Sequence, residues 1–131
     1  MTDLTPYLQA PFVRHLGLEL LASREGFCET ALRVEEAHRQ QDGFVHAGVQ
    51  ATLADHTAGM AAATHLGEGE RVLTVEFKLN LLRPARGERL FCRAEVLRRG
   101  RNLSVVEAAV YDGETLVAKG LFTLAIVPKG R

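Results

Sequence analysis

Asp55 lies within Val49–Ala63, a stretch that is expected to form a helix. Wound at 100° per residue, Val49, Leu53, His56 and Met60 fall on one side of that helix. Ala51, Ala58 and Ala62 fall on the other, with Asp55 projecting among them. A stripe of small residues lets a neighbour approach closely, so a carboxylate there meets another chain, a ligand or both. Charged groups are rarely buried unless paired or functional, and the plain alternative is an Asp in a salt bridge or in water. The preceding segment, Gln40-Gln41-Asp42-Gly43-Phe44-Val45-His46-Ala47-Gly48, is polar, carries glycine and runs into the helix start. Glycines there let the chain turn tightly and leave the first helical N–H groups bare. Those groups, at the positive end of the helix dipole, suit an anion or a polarised carbonyl oxygen.

Spacing limits how these groups can cooperate. His46 and Asp55 are nine positions apart, roughly 13 Å of rise along a continuous helix. That is too far for both to reach one bond. Two copies of the chain about a twofold axis would bring one helix start against the other copy's Asp55, which predicts a composite site in a homodimer.

The elements that must hold these residues read as one domain over 1–131, with one long helix and several strands. With 131 residues, 47% of them hydrophobic, the chain is long enough for one core. Sixteen basic side chains balance sixteen acidic ones, which argues against nucleic-acid binding. Cys28 and Cys92 belong to no CxxC or Cys/His cluster, so buried thiols in a reducing compartment are expected, and no metal site is. The first residues lack the features of a signal peptide, and no apolar run is long enough to span a membrane; a cytoplasmic, soluble protein is the expectation. Residues 6–15 read as a short amphipathic helix with Tyr7, Leu8, Phe12 and Val13 on its apolar side. Residues 16–23 and 27–34 read as a hairpin. Over 71–82 the residues alternate, predicting a half-buried strand with Leu73, Val75, Phe77, Leu79 and Leu81 on one face and Thr74, Glu76, Lys78 and Asn80 on the other. Three further strands follow at 89–97, 103–111 and 115–127, with Asp112-Gly113 as a hairpin signal.

This order and these motifs resemble the hotdog-fold thioesterases, specifically the phenylacetic-acid-degradation (PaaI-like) acyl-CoA thioesterase family. The family pattern is similar to Gln40-x-x-Gly43-x-x-His46-Ala47-Gly48 followed by Asp55, with Thr74-Val75-Glu76-Phe77 and Leu82-Arg83-Pro84-Ala85 resembling the next strand and its exit. Gln40 stands where the family usually has Asn, and Ala47 where it has Gly. The resemblance spans nearly the whole chain, from Leu16 to Val127. It implies an α+β hotdog domain, an antiparallel sheet wrapped around a central helix, acting on acyl-CoA as a dimer or tetramer without a cofactor.

Thioester hydrolysis places negative charge on the carbonyl oxygen. The resemblance implies that N–H groups of Ala47 and Gly48 hold that oxygen, one such donor contributing about 3 kcal/mol. Asp55 of the partner chain then activates water or attacks the carbonyl itself. Thr74 resembles the hydroxyl that holds the water, Gln40 orients the carbonyl or the Asp, and His46 supports the loop. Arg83, Arg86, Arg98, Arg99 and Arg101 lie in or beside turns where the family binds coenzyme A, and as a group they could hold its phosphates, since guanidinium forks match phosphate oxygens. Taken singly, turn arginines are more often just solvated. His56 is expected in the core, while His15, His38 and His65 carry no pattern. A hotdog dehydratase or hydratase, a non-catalytic acyl-CoA-binding hotdog protein and a structural dimerisation module are the alternatives.

Overall fold

The computed structural model describes residues 2–130. In chain order they form helices α1 (Thr5–Leu8) and α2 (Pro11–Leu16), strands β1 (Leu18–Arg24) and β2 (Phe27–Arg33), a 3-10 turn at Glu36–His38, helix α3 (Ala47–Ala63), and strands β3 (Glu70–Leu81), β4 (Arg89–Arg99), β5 (Leu103–Asp112) and β6 (Thr115–Pro128). The strands make one six-stranded antiparallel sheet in the order β1-β2-β4-β5-β6-β3. One long helix lying on such a sheet is the expected hotdog arrangement. Among the described residues no helix is long and apolar enough to cross a membrane.

The expected helix over 6–15 is two helices. Pro11 lacks the N–H that would continue α1, and it forces Ala10 into an extended conformation with ψ 130°. Val13 is buried as expected, but Phe12 is 61% exposed and Leu4 takes a place in the core.

The core lies between α3 and the inner face of the sheet. Every second residue of each strand points inward: Cys28, Thr30 and Leu32 on β2, Leu90, Cys92 and Ala94 on β4, Val106, Ala108 and Val110 on β5, Phe122 and Leu124 on β6. Leu32, Leu90, Phe122 and Leu124 supply most of the bulk from the sheet side, and the helix face opposing them is mostly small. Ala54, Ala58, Ala61, Ala62 and Ala63 are buried there beside Leu53 and Met60. This corrects the wheel reading, in which Ala58 and Ala62 faced away from the core and Val49 and His56 shared the bulky side. Small residues bring the helix axis close to a sheet that already fills the space. The open strip of α3 is narrower and comprises Gly48, Ala51, Thr52, Asp55 and Gly59. Thr57 buries its hydroxyl by bonding Thr30 Oγ1 at 2.7 Å and the Leu53 carbonyl at 2.6 Å. Burial pushes the free thiols of Cys28 and Cys92 up to about 12, which leaves both unreactive near neutral pH.

His56 is half-buried and donates from Nε2 to the Tyr7 carbonyl at 2.7 Å, joining α1 to α3. Burial lowers its pKa, with the Tyr7 carbonyl and Asp55 opposing that shift. The unfolded chain therefore takes up this proton at a higher pH than the folded one. The contribution of neutral His56 is complete above the unfolded value of about 6.5 and is lost as pH falls below it. The melting temperature should drop between pH 7.5 and 5.5, and His56→Gln should flatten that drop. Parallel curves for parent and variant would assign the loss to other groups.

Strand β3 departs from simple alternation. Thr74 pairs with Leu124, Glu76 with Thr123 and Phe77 with Phe122, so Val75 is an extra residue in a bulge. Because Leu124 and Phe122 both point inward, Thr74 and Phe77 share the inner face although they are three positions apart. Leu73 is turned to the outer face, and the single apolar face expected from Leu73 to Leu81 does not form. The expected burial is missing too: Leu73, Val75, Phe77 and Leu81 are 55, 57, 46 and 49% exposed. β3 has only β6 beside it, so an apolar edge strand lies open along one side of the chain.

Candidate active site

The bulge has a direct chemical result. Thr74 Oγ1 donates a hydrogen bond of 2.8 Å to Asp55 Oδ1 on the open strip of α3. One carboxylate oxygen is thus held by a hydroxyl, and the other makes no hydrogen bond among the described residues. Asp55 is half-buried, outside the core, and forms no salt bridge among the described residues.

The second cluster is the start of α3. The chain reaches it through a tight loop in which Gly43 has φ +87°, a conformation that favours glycine. Gln40 braces this loop with its Oε1, which accepts from the N–H groups of Asp42 at 2.6 Å and Phe44 at 3.2 Å. The Val45 N–H donates to the Ala85 carbonyl at 2.8 Å and that of His46 to the His38 carbonyl at 2.9 Å, tying the helix entry to both neighbouring segments. His38, which shows no pattern in the sequence, is buried and accepts the Glu35 N–H on its Nδ1 at 2.9 Å. Its part in positioning the entry comes from bonds to Glu35 and His46, three and eight positions away, which no residue pattern announces.

His46 is the N-cap of α3: its Nδ1 accepts the Gly48 N–H at 2.8 Å. This refines the expected pair of bare donors. The Gly48 N–H is already engaged by the cap, and the N–H left without a partner among the described residues is that of Ala47. His46 braces the helix entry through this bond. Ala47 borders a cavity of about 340 Å³ with Gln40, Phe44, Val45, Gln50, Leu81, Leu82, Arg83, Pro84 and Ala85. A larger hollow of about 460 Å³ lies among Arg33, Glu35, Arg39, Glu88 and Arg89, and none of the candidate residues lines it.

The expected site residues therefore form two groups. Gln40, His46, Ala47 and Gly48 meet at the helix start, and Asp55 meets Thr74 further along. The helix between them is continuous from Ala47 to Ala63, which keeps the groups about 13 Å apart within one chain. The arginines are also divided. Arg83 borders the cavity and donates from Nη1 to the Leu116 carbonyl at 3.0 Å. Arg86 stacks its guanidinium 5.0 Å from the Phe44 ring. Arg98, Arg99 and Arg101 lie at the β4–β5 turn, the opposite end of β4 and roughly 33 Å of strand away, with Arg99 paired to Glu70 at 3.3 Å.

Comparison with known proteins matches this geometry to a class. The sequence model of the thioesterase superfamily matches residues 42–119, from the entry loop into the first residues of β6. The solved structure of a thioesterase family protein from Silicibacter pomeroyi superposes with a TM-score of 0.90 at 38% identity, over 94% of this chain and 93% of that one. A phenylacetic acid degradation-related protein from Ralstonia eutropha superposes with a TM-score of 0.83 at 28% identity, covering 88% of this chain and 90% of the other. Human acyl-coenzyme A thioesterase 13 is 30% identical over 86% of this chain and 82% of its own length. The chain belongs to the thioesterase superfamily, has its hotdog fold and is a thioester hydrolase.

Proposed function

We propose that the protein hydrolyses acyl-CoA thioesters at sites shared between two copies of the chain. The observation that carries this reading is the separation of a held carboxylate, Asp55, from a free donor, the Ala47 N–H, on the same helix. Both face outward, and about 12 Å of helix keeps them from acting on one bond within a chain. A second copy running the opposite way would set its Asp55 opposite this helix start. The open edge of β3, with its exposed apolar side chains, supplies a surface on which two copies can pair.

In that site the thioester carbonyl oxygen accepts from the Ala47 N–H at the positive end of α3. The Gln40 amide, whose oxygen braces the loop, offers its nitrogen to the same oxygen. The partner's carboxylate, steadied by Thr74, takes a proton from water as that water adds to the carbonyl carbon. The C–S bond then breaks, and the thiolate leaves as coenzyme A and recovers the proton. Direct attack by the carboxylate through an anhydride uses the same residues. Arg83 is the candidate arginine that borders the cavity at the helix start, whereas Arg98, Arg99 and Arg101 lie at the far end of β4 in their own chain.

Thr74 acts by holding the carboxylate, so Thr74→Val should lower kcat about tenfold while leaving KM within about twofold. A matching rise in KM would place Thr74 in substrate binding instead. The reading as a whole is tested by incubating the purified protein with a panel of acyl-CoAs and following free thiol. Release from at least one aryl- or fatty acyl-CoA at enzymatic rates is expected. No release from any member, with tight binding of one, would favour the non-catalytic acyl-CoA-binding alternative.

A further inference from the structure

The cavity at the start of α3 holds a polar group with no assigned part in the reaction. Gln50 is only 3% exposed, yet its Oε1 is buried without a hydrogen-bond partner among the described residues. A buried acceptor left unpaired destabilises a fold, so such groups are uncommon unless something else completes them. Gln50 stands one turn after Ala47, about 4.5 Å along the axis, and lines the same cavity. The remaining lining there is largely apolar, from Phe44, Val45, Leu82, Pro84 and Ala85.

We infer that Gln50 is a specificity residue that reads a hydroxyl on the acyl group. This rests on the thioesterase reading above. With the carbonyl oxygen on the Ala47 N–H, the acyl group extends into the apolar lining and passes the Gln50 amide. A hydroxyl donates to Oε1, and because it also accepts, it satisfies the amide in either orientation. An unsubstituted acyl group leaves the amide orphaned. A site built to bond a hydroxyl discriminates strongly against the analogue that lacks one. The short span between Ala47 and Gln50 places this hydroxyl a few atoms from the carbonyl, on an aromatic ring or on the β-carbon of a chain.

The test compares kcat/KM for benzoyl-CoA with its 2-, 3- and 4-hydroxy derivatives, and for butyryl-CoA with 3-hydroxybutyryl-CoA. At least one hydroxylated member should exceed its unsubstituted partner by about tenfold or more. The two series separate an aromatic from an aliphatic source of the hydroxyl. Gln50→Met, similar in length and without the amide, should reduce that preference about tenfold. Its melting temperature should equal or exceed the parent's, because the orphaned acceptor is gone. Three results would overturn the inference: no hydroxyl preference in the parent, an equal change in both members of a pair, or a markedly lower melting temperature, which would mean that other protein groups hold the amide. Absence of all thiol release would instead strike the thioesterase reading, whereas release that depends on Asp55 with an unmoved preference strikes Gln50 alone.

Discussion

Asp55→Asn should fold as the parent does and turn over acyl-CoA at least about 100-fold more slowly, at the lower end of what a general base contributes. The expectation follows from a substitution that changes very little else. Asn retains the Oδ1 that accepts from Thr74, the helix propensities of Asp and Asn are close, and the side chain is half-buried and in no salt bridge. What disappears is the charge, and with it the capacity to take a proton from water or to attack a carbonyl. The melting curve and circular dichroism should match the parent's while thiol release collapses. Near-parental turnover in a well-folded variant would return Asp55 to the role of a solvated surface carboxylate. It would also leave the Thr74 contact without a catalytic purpose.

Ala47→Pro should fold normally and lose about 100- to 1,000-fold in kcat, the range measured when one oxyanion donor is removed. Proline is ordinarily a severe change within a helix, but Ala47 is the first helical residue, where proline is favoured and where the N–H has no helical partner in any case. His46 is already extended, with φ −60° and ψ 138°, which is the conformation a following proline demands. The substitution therefore deletes one N–H and little more. Mixing this variant with Asp55→Asn then tests assembly. If each site joins one chain's helix start to the other's Asp55, a mixed dimer holds one intact site and one doubly damaged site. Half of randomly paired dimers are mixed, so about a quarter of parental activity should return. No recovery, with subunit exchange confirmed by mass, would locate a complete site within one chain and exclude the twofold geometry.

Much of this site is legible in the sequence because its logic is local. A helix over Val49–Ala63, a glycine-bearing entry before it and a carboxylate on a strip of small residues all follow from residues within a few turns of one another. The nine positions between His46 and Asp55 translate into a distance by helix geometry alone, and the proposal of a second chain rests on that distance. Strand positions follow from alternation for the same reason, since side-chain direction along an extended chain has period two. Other features are settled by neighbours remote in sequence. The Val75 bulge depends on how β3 registers against β6, and only that register turns Thr74 toward Asp55 and spoils the apparent single face of Leu73 to Leu81. Which helix face lies inward depends on the bulk of the sheet beneath it, so Ala58 and Ala62 are buried while Val49 is half-open. The Gly48 N–H and the Gln40 oxygen are engaged by residues only two to four positions away, yet residue types alone do not say that His46 caps the helix or that the loop folds back on Gln40. The arginines read as one group in the sequence are divided between the two ends of β4. Residue types and spacing determined which groups could do chemistry here. Which of those groups are free to do it depends on hydrogen bonds, some local and some between distant segments, that form only in the folded chain.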